Sequence, residues 1–213
     1  MDAKAHWEGV YRSKRADDVS WFQPEAATSL ALIRRAATEP AASIIDIGGG
    51  ASRLVDGLVS AGYRHLTVLD LSGAALAESR RRLGHAGADV TWLEGDVLSA
   101  ELPAGGFDVW HDRALFHFLT DAEDRSRYVA QVRRALKPGG SVIIATFADD
   151  GPTRCSGLPV VRYAPETLQG EFGPDFPLIE SEREAHGTPA GATQMFVYCR
   201  FKRTGQDGHN DSQ

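Results

Sequence analysis

The chain has 213 residues, of which 42% are hydrophobic and 24% are charged, and its formal net charge is −6 at pH 7. These values are typical of a soluble chain with one well-buried domain, and the acidic balance argues against a nucleic-acid substrate. No apolar run reaches the length of a membrane span, and residues 1–6 lack the apolar core of a signal peptide, so we expect a cytoplasmic protein. Cys155 and Cys199 are too few for a disulfide framework and are expected to be free thiols.

The first forty residues are rich in aromatic side chains and precede the first predicted strand. Residues 3–15 have the spacing of a short amphipathic helix, and a second helix is predicted over residues 25–37. Trp7, Tyr11 and Trp21 are the most prominent aromatic residues of this segment. They would either pack on the edge of a sheet or belong to a lid that closes over a ligand, and the sequence leaves both interpretations open.

Three consecutive glycines follow the first predicted strand, residues 44–47, and a helical pattern begins directly after them at residues 51–61. Gly48, Gly49 and Gly50 permit a tight turn and leave no side chain between the backbone and a ligand. The N-terminus of the following helix directs unpaired N–H groups and partial positive charge at a bound anion. This strand–turn–helix unit predicts a nucleotide site.

Two common nucleotide-binding motifs do not match the turn. The dinucleotide fingerprint GxGxxG requires a third glycine where Arg53 stands, and no Gly-Lys-Ser/Thr of a P-loop follows. Ser52 is the candidate N-cap of the helix. The turn therefore points to a nucleotide site of another kind.

Acidic residues stand at the ends of the next two predicted strands. Asp70 ends the strand 65–70, at the distance from Gly50 where a nucleotide-binding βαβ unit has its ribose-binding carboxylate. A carboxylate can accept hydrogen bonds from both ribose hydroxyls. Asp96 follows Gly95 after the third predicted strand, residues 89–94.

Ionisable residues also gather at the end of the fourth predicted strand, residues 107–113. His111 and Asp112 are the candidates for proton handling, together with His117, which is equally well explained as a core residue of the turn that follows. The spacing of these three residues matches no common set of metal ligands, so no metal site is predicted.

The C-terminal third completes a sheet. Leu136-Lys137-Pro138-Gly139-Gly140 ends a helix before a buried fifth strand at residues 141–147. The polar loop 148–164 contains Cys155 and is a candidate wall of a substrate site. A short helix begins at Pro165, and residues 176–184 and 193–203 are predicted to pair as a β-hairpin.

The pattern Asp46-x-Gly48-x-Gly50 resembles motif I of the class I S-adenosylmethionine-dependent methyltransferases. Leu136-Lys137-Pro138-Gly139-Gly140 resembles the turn that precedes the fifth strand of that family. Asp70, the Gly95-Asp96 pair and the His111-Asp112 strand end lie between them in the family's order.

The resemblance implies an α/β fold, a three-layer αβα sandwich whose seven-stranded, mostly parallel sheet ends in an antiparallel β-hairpin. It covers residues 40–203. Residues 1–39 would form an N-terminal helical lid or cap, and the polar residues 204–213 are expected to be disordered.

The resemblance also implies S-adenosylmethionine as cofactor. Asp70 would hold the ribose, Leu71 would pack on the adenine, Asp96 would accept the adenine amino group, and the N–H of Val97 would donate to the ring. The full set of implied cofactor-binding residues is Asp46, Gly48, Gly49, Gly50, Asp70, Leu71, Asp96, Val97 and His111, with Trp7, Tyr11 and Trp21 of the lid.

The expected activity is methyl transfer to N, O or S of a small molecule, with His111 or Asp112 as the base where one is needed. The strand end lacks the Asn/Asp-Pro-Pro-aromatic motif, which counts against amino-methylation of adenine or glutamine. Two alternatives stay open: a protein-lysine methyltransferase, and a protein that binds the cofactor without catalysis.

Overall fold

A computed structural model of the protein describes residues 2–205. Its centre is a seven-stranded sheet with the strand order β3-β2-β1-β4-β5-β9-β8, in which β9 is antiparallel to β5 and β8 while the other neighbours are parallel. The sheet strands are β1 Ser43–Ile47, β2 His65–Asp70, β3 Thr91–Glu94, β4 Phe107–Arg113, β5 Leu136–Phe147, β8 Leu178–Gly187 and β9 Thr193–Lys202. The helices are α1 Ala3–Ser13, α2 Ala27–Ala36, α3 Leu54–Ser60, α4 Gly73–Leu83, α5 Ala122–Ala135 and α6 Pro165–Phe172.

Helices cover both faces of the sheet. Ile44 of β1 belongs to one apolar cluster with residues of α2, α3 and α4, whereas Ile45 and Ile47 belong to a second cluster with residues of α5 and α6. This division follows from the alternation of side chains along a strand. The predicted three-layer αβα sandwich with a terminal antiparallel hairpin is confirmed.

Several boundaries differ from the sequence-based prediction, and local contacts explain two of them. β5 begins at Leu136 instead of residue 141, because Leu136 pairs with Phe107 across a register irregularity before the regular ladder starts. α3 begins at Leu54 with Arg53 in the N-cap position, and the hydroxyl of Ser52 accepts from the N–H of Leu54 at 3.1 Å, so Ser52 supplies the capping hydrogen bond from one residue earlier. Ser52 lies in the turn before the helix, where its N–H donates to the carbonyl of Gly49 at 2.8 Å.

The loop after β5 contains additional secondary structure. The loop 148–164 contains a short antiparallel pair, β6 Arg154–Cys155 and β7 Leu158–Pro159. Residues 206–213, most of the predicted disordered tail, lie outside the described residues. In the described part of the chain, no helix combines the length and apolar character needed to cross a membrane.

Candidate functional site

A cavity of about 570 Å³ lies at the carboxyl edge of the parallel strands, beneath the N-terminal segment. Open α/β sheets place their ligands at this edge. Most of the predicted cofactor-binding residues line the cavity: Trp7, Tyr11, Trp21, Gly48, Asp70, Leu71, Asp96 and Val97. The structure thus brings together residues from the N-terminal segment, the glycine turn and the ends of β2 and β3.

Asp70 is the buried carboxylate of this cavity. Its Oδ1 accepts a hydrogen bond from the N–H of Ser72 at 2.8 Å. Burial raises the pKa of Asp70 from 3.8 to about 7, with a further contribution from the negative charge of Asp46, and the backbone amides of Ser72 and Gly50 oppose this increase. A carboxylate in this state is stabilised by any ligand that brings hydrogen-bond donors.

Gly50 does not line this cavity in the described structure, but the absence of its side chain leaves room for Asp70. A Cβ atom at Gly50 would lie 2.7 Å from Asp70 Oδ2, and the φ of Gly50 is +31°. The absence of a side chain therefore serves the carboxylate rather than a direct contact with the cavity, which revises the predicted role of Gly50.

Asp96 and Val97 form the end of the cavity near β3. The N–H of Gly95 donates to the carbonyl of Asp70 at 2.9 Å, which joins the two strand ends. Asp96 is exposed, and its Oδ1 accepts from the N–H of Leu98 at 2.9 Å. Val97 is buried and belongs to the apolar cluster under α5.

A second, smaller cavity of about 40 Å³ adjoins the first and is lined by Asp46, Gly49, Ser29 and His111, among others. Asp46 and His111 are register partners on β1 and β4. His111 Nδ1 lies 2.7 Å from Asp46 Oδ1, and His111 Nε2 lies 2.9 Å from Ser29 Oγ. Asp46 Oδ2 is buried and has no hydrogen-bond partner among residues 2–205.

The N-terminal segment covers the cavity with aromatic rings. Trp7 packs edge-to-face on Trp21 and on Phe118, with ring centroids 5.7 Å and 5.1 Å apart. The indole N–H of Trp21 donates to the hydroxyl of Tyr11 at 3.3 Å. α1 is fixed to α4, since the Oε1 of Glu8 accepts from the N–H of Ala74 at 3.2 Å, and Lys4 pairs with Glu94 on β3.

Arg113 is a residue of the site that sequence reasoning missed. It ends β4 and lines both cavities. Its Nε donates to the hydroxyl of Tyr198 at 2.8 Å, and its Nη1 donates to the carbonyl of Trp21 at 3.0 Å. The guanidinium carbon lies 4.4 Å from the centroid of the Phe196 ring. The sequence signal that could have identified Arg113 is a cationic residue at the end of a buried parallel strand.

The prediction that Asp112 acts as a base is not supported, because its side chain points to the other face of the sheet. The carboxylate is fully buried and accepts hydrogen bonds from the hydroxyl of Tyr128 at 2.6 Å and from the N–H groups of Leu115 and Phe116 at 2.9 and 3.1 Å. Burial raises its pKa to about 6 against these hydrogen bonds. Asp112 thus fixes the turn after β4 and lines neither cavity in the described chain.

The other two reactive candidates are buried. His117 packs between the rings of Phe118 and Phe147, and burial lowers its pKa to about 3, which agrees with the core interpretation. Cys155 lines the large cavity, but burial raises the pKa of its thiol to about 11. It is therefore protonated at neutral pH and a weak nucleophile.

A seven-stranded sheet of this order, with a glycine turn and two carboxylates at the carboxyl edge, defines a Rossmann-like nucleotide-binding domain. Residues 44–140 match the family model described as a methyltransferase domain. This match and the motif order support membership of residues 44–140 in the class I S-adenosylmethionine-dependent methyltransferase family.

Several relatives and structures are similar to the chain. The zebrafish protein named EEF1A lysine methyltransferase 2 is 28% identical over 193 residues, which cover 84% of this chain and 77% of the relative. An uncharacterized methyltransferase of Mycobacterium bovis is 30% identical over 119 residues, 54% of each chain. The structure of a Burkholderia thailandensis 1,6-didemethyltoxoflavin-N1-methyltransferase with bound S-adenosylhomocysteine has a TM-score of 0.72 and 20% identity, covering 94% of this chain and 87% of that one.

The chain covers only part of the length of two of these relatives. The match spans 54% of the Mycobacterium bovis protein and 21% of a zebrafish eEF1A lysine and N-terminal methyltransferase, to which this chain is 25% identical over 148 residues, 68% of its own length.

Proposed function

We propose that this protein binds S-adenosylmethionine across the two adjoining cavities and methylates an acceptor held beneath the N-terminal segment. The observation that carries the proposal is the convergence of the glycine turn, Asp70 and Asp96 on one cavity at the carboxyl edge of the sheet. The described residues fit the two halves of the cofactor separately.

The large cavity suits the adenosyl half. Asp70 would accept hydrogen bonds from the ribose hydroxyls, which would favour its ionised form. Asp96 would accept from the adenine amino group and the N–H of Val97 would donate to the ring. Leu71 supplies an apolar surface for one face of the adenine.

The small cavity suits the methionine half. Asp46 Oδ2 is a buried acceptor without a partner in the described structure, and an ammonium group would satisfy it. His111 holds the other oxygen of Asp46, and both of its ring nitrogens are within hydrogen-bond distance of protein groups. We therefore assign His111 as the residue that positions Asp46, in place of a general base.

When bound, S-adenosylmethionine supplies a methyl group on a positively charged sulfur. The protein must hold the acceptor in line with this group, and positioning alone can contribute roughly 7–11 kcal/mol to lowering a barrier. Residues 1–39 act as a lid in this proposal: Trp7, Tyr11 and Trp21 exclude water from the cavity.

A small molecule is the acceptor that the cavity favours. Away from Asp70 and Asp96, the lining is mostly apolar and aromatic, including Leu115, Phe118 and Leu158, and it lies beneath α1. A protein lysine is the second candidate, because two similar zebrafish proteins are named as eEF1A lysine methyltransferases. Cofactor binding without catalysis is the third. Two free, buried cysteines are consistent with a cytoplasmic location.

Two measurements test the proposal. Calorimetry with S-adenosylmethionine and S-adenosylhomocysteine should show one site per chain in the wild type and a loss of affinity in Asp70→Asn. Transfer of a labelled methyl group to fractionated lysate should label low-molecular-weight material. A labelled protein band would favour the lysine acceptor, and binding without any transfer would favour the non-catalytic alternative. Wild-type protein that binds neither ligand would refute the proposed function.

A further inference from the structure

We propose that Arg113 selects an acceptor whose reacting atom is negatively charged, a thiolate on an apolar body, and that it discriminates against amines. This inference rests on the proposed function, because it concerns the acceptor that shares the site with the cofactor.

The position of Arg113 is the first step. Among residues 2–205, four line both cavities: Tyr11, Trp21, Gly48 and Arg113. Since the large cavity is assigned to the adenosyl half of the cofactor and the small one to the methionine half, the group that joins these halves must lie near the residues that the cavities share. Arg113 therefore stands beside the reacting centre.

The second step is that the guanidinium is held in place and retains hydrogen-bonding capacity. Its side chain is 10% exposed. The bonds to Tyr198 and Trp21 and the ring of Phe196 fix its plane. Nη2 is buried and has no hydrogen-bond partner within residues 2–205.

The only carboxylate paired with Arg113 in the described structure is Glu184, whose Oε1 lies 3.8 Å from Nη2. Glu184 lines neither cavity there, and the same Oε1 accepts from Gln23 at 2.8 Å and from Tyr198 at 3.3 Å. The positive charge of Arg113 is therefore shared with Glu184 on one side, and on the side of the cavities it meets no carboxylate at hydrogen-bond distance.

The remaining ionisable groups near Arg113 do not compensate its charge. Burial raises the pKa of Cys155 to about 11 and also raises that of Tyr198. Burial lowers the pKa of His117 to about 3 and also lowers that of His186. All four side chains are therefore uncharged at neutral pH.

The charge balance of the reaction then separates the acceptor classes. A thiolate sulfur that takes up the methyl group becomes a neutral thioether, and the electron pair of the broken bond stays with the donor sulfur, which also becomes neutral. One negative and one positive charge disappear. A neutral amine instead acquires the positive charge and must lose a proton afterwards. A fixed cation at the reacting centre stabilises an incoming anion and disfavours a new cation.

The side chains around the acceptor are poorly suited to accept the proton that a methylated amine must lose. On the acceptor side, the ionisable side chains lining the cavity in the described chain are Tyr11, Arg113, Cys155 and Asp124. Burial raises the pKa of Tyr11 and of Cys155, so neither accepts a proton at neutral pH. Asp124 is partly exposed and pairs with Arg127 at 3.2 Å. A thiol, with a reference pKa of about 8.5, reaches its reactive form by ionising in solution and needs no base in the site.

Three probes with one body test this inference: naphthalene-2-thiol, 2-naphthol and 2-naphthylamine. Their binding to the complex with S-adenosylhomocysteine is measured by calorimetry between pH 6 and pH 9, under reducing conditions. We expect the affinity for the thiol to increase as the thiol ionises, and the affinity for the amine to be unchanged. Arg113→Met should weaken the thiol at pH 8 by about tenfold or more and leave the amine unchanged, and Arg113→Lys should retain most of the preference.

Arg133→Met is the matched control. Arg133 also lies near an aromatic ring, that of Phe176, and pairs with Asp175, but it lines neither cavity in the described structure. Amine binding equal to or tighter than thiol binding in the wild type at pH 8 would overturn the inference. So would equal losses for both probes in Arg113→Met. The wild-type pH profile decides the matter if that variant does not fold. Failure to bind S-adenosylhomocysteine would instead count against the proposed function.

Discussion

Replacing Asp70 by Asn should increase the stability of the protein at pH 8 and weaken its binding of the cofactor. Burial raises the pKa of Asp70 from 3.8 to about 7, which corresponds to roughly 4 kcal/mol of preference for the protonated form in the folded state. The stability that this group contributes is fully present below pH 3.8 and is lost as the pH rises to about 7. Between pH 5 and pH 8 the loss is about 3 kcal/mol.

Asn removes the charge and keeps an oxygen that can accept from the N–H of Ser72. We therefore expect Asp70→Asn to be more stable than the wild type at pH 8 and to lose this advantage at pH 5. The net gain at pH 8 should be about 1–3 kcal/mol, since a buried amide has its own desolvation cost. Urea unfolding monitored by circular dichroism at both pH values measures it.

The same variant should bind S-adenosylhomocysteine at least about tenfold more weakly, because it removes the charged acceptor that we propose for the ribose hydroxyls. Asp96→Asn is the control: Asp96 lines the same cavity but is exposed, so its variant should have about the same stability as the wild type at pH 8. If the stability difference between Asp70→Asn and the wild type were the same at pH 5 and pH 8, the argument from burial would be wrong. Unchanged affinity would remove Asp70 from the cofactor site.

Three further predictions follow from individual side chains. Gly50→Ala should lose cofactor affinity, because its Cβ would press on the Asp70 carboxylate. Gly105→Ala, at another positive φ with open space around it, should bind normally in the same calorimetric titration. Tyr128→Phe should destabilise the protein by about 1–3 kcal/mol, because Asp112 loses a buried hydrogen-bond donor. Its cofactor affinity at 15 °C should equal that of the wild type. A lower affinity in a sample that is fully folded at this temperature would contradict the structural role of Asp112. Cys155 should react with iodoacetamide far more slowly than free cysteine at pH 7.5, as peptide mass spectrometry would show, because its thiol is buried and protonated.

The edge of the sheet that we assign to the cofactor was predictable because its signals are local. A glycine turn after a strand and an acid at the end of the next strand are both read from a few neighbouring residues. Their convergence follows from the geometry of a parallel sheet. Asp70 and Asp96 accordingly line one cavity with Gly48, as the strand order implies. The first residue of α3 was less predictable: Ser52 lies in a turn through its N–H bond to Gly49, so the helix begins at Leu54, although the Ser52 hydroxyl still accepts from the N–H of Leu54.

The acceptor side was less predictable because it depends on which way strand β4 presents its side chains. His111 and Asp112 are neighbours in sequence, so they point to opposite faces of the sheet and cannot both serve one site. The pairing of Asp46 with His111 decides which face holds which residue, and that register is a property of the folded sheet. Arg113 then returns to the face of His111 and reaches Tyr198 on β9 and the carbonyl of Trp21, groups that are 85 and 92 residues away in sequence. The charge that selects the acceptor in our proposal thus depends on contacts that only the assembled sheet and the N-terminal segment create.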